Sequence, residues 1–165
     1  MDLYILRHGI AYDHGHPDYP DDDSRPLTPK GRRRTRRIAR GMRDLGLRFD
    51  AILTSPLPRA RQTAEIVVMV MGGTLEVHEA LSPDGDGDVV LDALRCREPA
   101  PKSALLVGHE PYLSQMACRL LSGRVGNWLE LRKGGLIGLR IDLGSRSPHA
   151  RLSALLAPRH LTRIS

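Results

Sequence analysis

Aromatic residues are scarce: they make up 4% of the 165 residues, with one tryptophan and one phenylalanine. Aliphatic side chains must therefore fill the core, and few rings remain for stacking on nucleic-acid bases. Cysteine is almost absent. Cys96 and Cys118 lie far apart and form no CxxC pair, which argues against a disulfide framework or a zinc site and fits a reducing cytosol. No apolar run approaches the roughly 20 residues needed to span a bilayer. No basic segment leads into a long apolar run, so nothing reads as a signal peptide. The expectation is a cytoplasmic protein with no membrane partner. Internal repeats and low-complexity tracts are also lacking, and residues 1–165 are expected to form one domain.

What is present is ordinary for a globular protein: 41% hydrophobic and 27% charged residues. The formal charge is +6, and all but Lys30, Lys102 and Lys133 of the 25 basic residues are arginine. A GC-rich genome would produce that bias. A basic total also favours acidic or phosphorylated partners.

The chain alternates short apolar runs with amphipathic stretches. Leu3–Leu6 reads as a buried strand that ends on Arg7-His8-Gly9. A polar loop from Tyr12 to Arg25 follows, containing Pro17, Pro20 and Asp21-Asp22-Asp23. His14, His16 and these aspartates lack compact ligand spacing, so the loop reads as turn formers rather than a metal centre. Thr28-Pro29 looks like an N-cap with proline in the first helical position, and a helix is predicted to about Leu45. Ala51–Thr54 reads as the second strand, after which Ser55-Pro56 is expected to open a second helix with Arg59 in its first turn. Leu75–Val77 reads as a short strand, followed by a turn-rich acidic loop, Glu79–Asp86, and a helix over about 89–96. Ser103–Val107 is the next buried strand, and it stops at Gly108-His109. Pro111 opens a fourth helix to about Leu121. Strands are predicted over 136–143 and 150–156. Strands alternating with helices imply an α/β fold, a three-layer α/β/α sandwich on a mostly parallel sheet; the short late connections add an antiparallel edge strand.

Open α/β sheets bind ligands at the carboxyl ends of their strands. Three such ends deliver Arg7-His8, Ser55 to Arg59, and Gly108-His109. If these ends share one rim, two guanidiniums and two imidazoles converge on a cationic pocket suited to a phosphoryl group. Gly9 would allow a tight turn and a close approach by ligand. The start of the helix after Ser55 would add backbone donors.

These residues carry a resemblance. Arg7-His8-Gly9, then Ser55-Pro56-x-x-Arg59-Ala60-x-Gln62-Thr63, then Gly108-His109 resemble the histidine phosphatase (phosphoglycerate mutase-like) superfamily. Arg25-Pro26-Leu27-Thr28 with Gly31, and Gly108-His109-Glu110-Pro111, resemble its SixA-type phosphohistidine phosphatase branch. The resemblance implies His8 as nucleophile, forming a transient phosphohistidine. It implies Arg7, Arg59 and His109 on the phosphoryl oxygens, with Gly9, Arg25 and Ser55 as further phosphate contacts. His8 would need one ring nitrogen unprotonated, the other donating to a backbone carbonyl. No metal or organic cofactor is implied, and inorganic phosphate would be the product.

The departure from the larger relatives is the general acid. Glu79 and Asp84 are the candidates, though neither sits in a matching motif. Phosphohistidine departs as imidazole, which takes its proton on the ring nitrogen remote from phosphorus, whereas an alkoxide needs help on the bridging oxygen. The expected substrate is therefore phosphohistidine in a protein, with a small phosphomonoester as the alternative. A third reading, a polyanion- or nucleic-acid-binding module, rests on Arg32, Arg33, Arg34, Arg36, Arg37, Arg40 and Arg43. That run reads better as a solvated helix face, since no recognition motif accompanies it.

Overall fold

The computed structural model describes residues 1–145 and 149–164. Six strands form a single sheet in the order β3-β2-β4-β1-β5-β6. They are β1 (Asp2–Arg7), β2 (Ala51–Thr54), β3 (Leu75–Val77), β4 (Ser103–Gly108), β5 (Leu136–Ile141) and β6 (Ala150–Leu156). β1 to β4 run parallel to one another, while β5 and β6 are antiparallel additions on the β1 side. The expected antiparallel edge is met by two added strands, each antiparallel to its inner neighbour.

Five helices cover the sheet: α1 (Pro29–Asp44), α2 (Pro58–Met71), α3 (Gly87–Arg95), α4 (Tyr112–Ser122) and α5 (Pro158–Ile164). Strand side chains alternate in direction, so each central strand feeds both layers. Leu3, Ile5, Leu53 and Leu106 pack with Leu94 of α3 and Leu113 of α4 on one face. Leu6, Ile52, Leu105 and Val107 pack with Ile38 and Met42 of α1, Val67 of α2 and Leu161 of α5 on the other. The scarcity of aromatics is met as expected: the large, fully buried side chains are Leu, Ile and Met.

Local chemistry sets the element boundaries. Thr28 accepts a hydrogen bond from Gly31 N and caps α1, with Pro29 next in line. α2 starts at Pro58 and not at Ser55-Pro56. The reason is steric: a residue before proline is pushed out of the helical region, and Leu57 is accordingly extended at φ −64°, ψ 135°. α3 begins earlier than its apolar pattern suggested because the Asp86 side chain accepts from Asp88 N and caps it. The sequence pattern gives no sign of α5. It is only seven residues long and buries Pro158 and Leu161, too few apolar positions to establish a helical period. It packs tightly on α1, where a Cβ on Gly41 would lie 2.0 Å from Leu161 O.

Candidate active site

The parallel registers bring the motif ends together. Arg7 pairs with Gly108 across β1 and β4, and Thr54 pairs with Val107 across β2 and β4. Each strand is extended by one more bond, from His8 N to Gly108 O and from Ser55 N to Val107 O, both 3.0 Å. The carboxyl ends of three adjacent strands therefore form one rim. His8 and His109 face each other there, with ring centroids 5.2 Å apart and planes tilted by 50°. Both are buried, as are Arg25, Ser55 and Arg59. Behind β1, the turn at Gly134 closes the rim. Its N–H reaches both Arg7 O and His8 O, and its φ of 78° lies in the left-handed region where glycine carries no Cβ strain.

His8 is held in one tautomer. Its Nδ1 lies 2.7 Å from Gly9 O. A carbonyl can only accept, so Nδ1 carries the proton and Nε2 keeps its lone pair. Burial lowers the His8 pKa to about 2, helped by His109, Arg59 and Arg7 and opposed by the Gly9 bond. Burial likewise lowers His109 to about 3, with Arg59 adding to it and Asp22 opposing. Both imidazoles are neutral at pH 7, and His8 is available as a base or nucleophile without a proton to lose first.

The remaining donors are arranged around them. Arg59 sits in the first turn of α2 as expected. Arg7 Nη1 donates to Leu131 O at 2.9 Å, while its Nε is buried without a partner. His109 Nε2 lies 2.8 Å from Ser55 Oγ, and its Nδ1 is also buried and unpartnered. Buried polar atoms left unpaired are costly, so Arg7 Nε and His109 Nδ1 would gain from a polar partner.

Two expected phosphate contacts have other employment here. Gly9 N donates to Thr63 Oγ1 at 2.9 Å, so that N–H is committed to the protein. The glycine is needed for close packing: a Cβ there would lie 2.5 Å from Thr35 Oγ1. Ser55 Oγ accepts from Leu57 N at 3.2 Å and bonds His109, so it orients that ring. Glu79 and Asp84 are exposed and form no hydrogen bond or ion pair with Arg7, His8, Arg59 or His109.

Sequence reasoning passed over three residues. Thr63 Oγ1 donates to Arg59 O at 2.7 Å while accepting from Gly9 N, and so ties α2 to the His8 loop. It stood in the matched motif without a role. Glu110 accepts from Ser114 N at 3.1 Å and Ser114 Oγ at 2.6 Å, which fixes the first turn of α4 directly after His109; burial raises its pKa. Asp22, read as a turn former, lies on the cationic pocket. Its Oδ1 accepts from Arg25 Nε at 2.8 Å and also from Arg25 Nη2, and its Oδ2 accepts from Arg59 Nη2 at 3.2 Å. Its main-chain oxygen accepts from Arg59 Nη1 at 2.7 Å. Burial alone would raise the Asp22 pKa, but the Arg25 hydrogen bonds and the Arg59 charge outweigh it, and the carboxyl is held below its usual range.

A family model, the histidine phosphatase superfamily (branch 1), matches residues 3–82. The phosphohistidine phosphatase SixA of Escherichia coli is 30% identical over 126 residues, covering 74% of this chain and 76% of that protein. The chain belongs to the histidine phosphatase superfamily. An uncharacterized protein of Picosynechococcus is 44% identical over 165 residues, covering 98% of this chain and 99% of its own. The solved structure of the protein histidine phosphatase SixA with tungstate superposes with a TM-score of 0.83 at 25% identity, covering 98% of this chain and 99% of that one. A phosphoserine phosphatase from Entamoeba histolytica shares the fold, with a TM-score of 0.69 at 17% identity over 97% of this chain and 98% of that one. The histidine phosphatase with this mostly parallel sheet is SixA-like, and family membership supports a hydrolase of phosphoryl groups. No helix among the described residues is long and apolar enough to cross a membrane.

Proposed function

We propose that this chain hydrolyses phosphohistidine in a protein through a phosphohistidine intermediate on His8. The observation that carries the reading is the His8 tautomer: Nδ1–H on Gly9 O, at 2.7 Å, leaves the Nε2 lone pair as the nucleophile. Nε2 attacks phosphorus in line with the departing nitrogen. The P–N bond to the substrate breaks as the P–Nε2 bond forms. The substrate imidazole leaves with the bond's electron pair and takes a proton on its remote ring nitrogen. Water then attacks phosphorus, the P–Nε2 bond breaks, and phosphate departs with His8 restored. The phosphoryl oxygens spread their charge onto Arg7, Arg59 and Arg25, with neutral His109 donating its one ring N–H.

A small phosphoester is the competing substrate. It needs a proton on the bridging oxygen, and the exposed Glu79 and Asp84 are not engaged with the site's side chains. That supports the imidazole leaving group. The similarity to SixA, named as a phosphohistidine phosphatase, supports the same choice. The test compares a phosphohistidine peptide with an aryl and an alkyl phosphate, using wild type and His8→Ala. The expected result is preferred turnover of the peptide, abolished by His8→Ala. Turnover that survives His8→Ala refutes the nucleophile. Preference for the alkyl phosphate, lost in Glu79→Gln or Asp84→Asn, refutes the substrate.

A further inference from the structure

The cationic seat assigned to phosphate already holds an anion that belongs to the chain. Arg25 and Arg59 come from different parts of the structure, and both are buried. Their guanidiniums converge on Asp22, whose side chain is 40% exposed. Each carboxylate oxygen takes a different arginine: Oδ1 takes Arg25 and Oδ2 takes Arg59. His14 Nδ1 lies 2.6 Å from Oδ1 on the solvent side. The Asp22 carbonyl oxygen holds Arg59 Nη1, and Tyr12 O holds Arg25 Nη1. Arginine forks donate to carboxylate and phosphoryl oxygens in the same geometry. Arg59 is fixed on α2, and the carboxylate reaches it from the loop that also carries Arg25, three residues further on.

We propose that Asp22 is an internal counter-anion. It occupies the seat of Arg25 and Arg59 when substrate is absent, is displaced by the incoming phosphoryl group, and returns as product leaves. The proposal rests on the reading that this pocket takes a phosphoryl group, and it adds the residue that sets how tightly. A dianionic phosphoryl group offers three oxygens and nearly two charges against the single charge of a carboxylate, so it wins the exchange. A carboxylate or other monoanion from solution has no such advantage. The same competition weakens the hold on inorganic phosphate, which an uncompensated cluster of three arginines would retain. Apparent affinity falls by the fraction of time the seat is free, so an Asp22 seated nine-tenths of the time weakens phosphate binding about tenfold.

A merely structural Asp22, needed to hold the two arginines in place, predicts the opposite sign. The experiment is calorimetric titration of inorganic phosphate into wild type, Asp22→Asn, Asp22→Ala and Asp22→Glu, with KM measured in parallel. Binding should be about tenfold tighter in Asp22→Asn and Asp22→Ala, KM should fall with it, and product inhibition should deepen. Asp22→Glu keeps the charge and should stay near wild type. Equal or weaker phosphate binding in Asp22→Asn, with circular dichroism like that of wild type, overturns the proposal and leaves the phosphatase reading standing. Should Asp22→Ala fail to fold, Asp22→Asn decides by the same sign. Failure of wild type and all folded variants to bind phosphate overturns both.

Discussion

The neutral state of His8 makes a prediction about acid pH. An imidazole of ordinary pKa, about 6.5, is only about 3% unprotonated at pH 5. An enzyme relying on such a group would lose about thirtyfold in kcat/KM between pH 8 and pH 5. Burial against His109, Arg59 and Arg7 lowers the His8 pKa to about 2, so the group remains almost entirely unprotonated down to about pH 4. The free enzyme should therefore show no loss from this residue over that range. The assay is kcat/KM for an aryl phosphate from pH 4.5 to 8, with each value divided by the fraction of substrate present as dianion, since kcat/KM reports ionisations of free enzyme and free substrate. The corrected profile should be flat within about twofold. A residual acid limb with an apparent pKa between 6 and 7 would mean that His8 titrates normally, and the argument from burial and neighbouring charge would fall. Exposing the ring should create that limb: Leu27→Ala removes a side chain that packs beside Gly9 and is expected to move the His8 pKa upward.

The same two histidines link stability to pH. Their folded pKa values, about 2 for His8 and about 3 for His109, lie below the unfolded value of about 6.5. The unfolded chain then binds more protons as pH falls below 6.5, so stability is full above that pH and drops on acidification by up to about 1.4 kcal/mol per pH unit for each histidine. Urea titrations from pH 7 to 5 should show this slope roughly halved in His8→Gln, and an unchanged slope would refute it. Gly41→Ala would stabilise an isolated helix by about 1 kcal/mol. Here its Cβ would lie 2.0 Å from Leu161 O, so a net loss of about 1–3 kcal/mol is expected by denaturant unfolding. Thr63→Val strands the buried Gly9 N–H and frees the link to Arg59 O. It should cost about 1–3 kcal/mol of stability and reduce kcat. Arg59→Ala removes both the proposed phosphoryl donor and the tether on Asp22, and a drop in kcat/KM of at least about a hundredfold is expected for every substrate.

Much of the fold could be read from local pattern. Leu3–Leu6, Ala51–Thr54 and Ser103–Val107 are short apolar runs bounded by polar turns, and they became β1, β2 and β4. The Thr28-Pro29 cap became the start of α1 for the reason that suggested it. α5 escaped because seven residues with one buried leucine carry no period; its helix is held by packing on α1 and not by its own pattern. The pre-proline restriction at Leu57 is written in the sequence, and it holds the start of α2 back to the second proline.

The sequence by itself determined which side chains are the candidates for the chemistry. Arg7, His8, Arg59 and His109 stand at strand and helix ends, and chain connectivity sends parallel strand ends to one rim. It also determined the family through the residues flanking them. Only the tertiary structure decided what each group is bonded to. The His8 tautomer depends on the Gly9 carbonyl direction, and the loss of the Gly9 N–H to Thr63 depends on a contact across 54 positions. The meeting of Asp22 with Arg59 spans 37. Local pattern reports on neighbours in the chain, whereas protonation state and charge pairing follow from neighbours in space. Arg59 and the neighbouring pair Asp22 and Arg25, far from it in sequence, become one electrostatic unit only once the fold has brought that loop against α2.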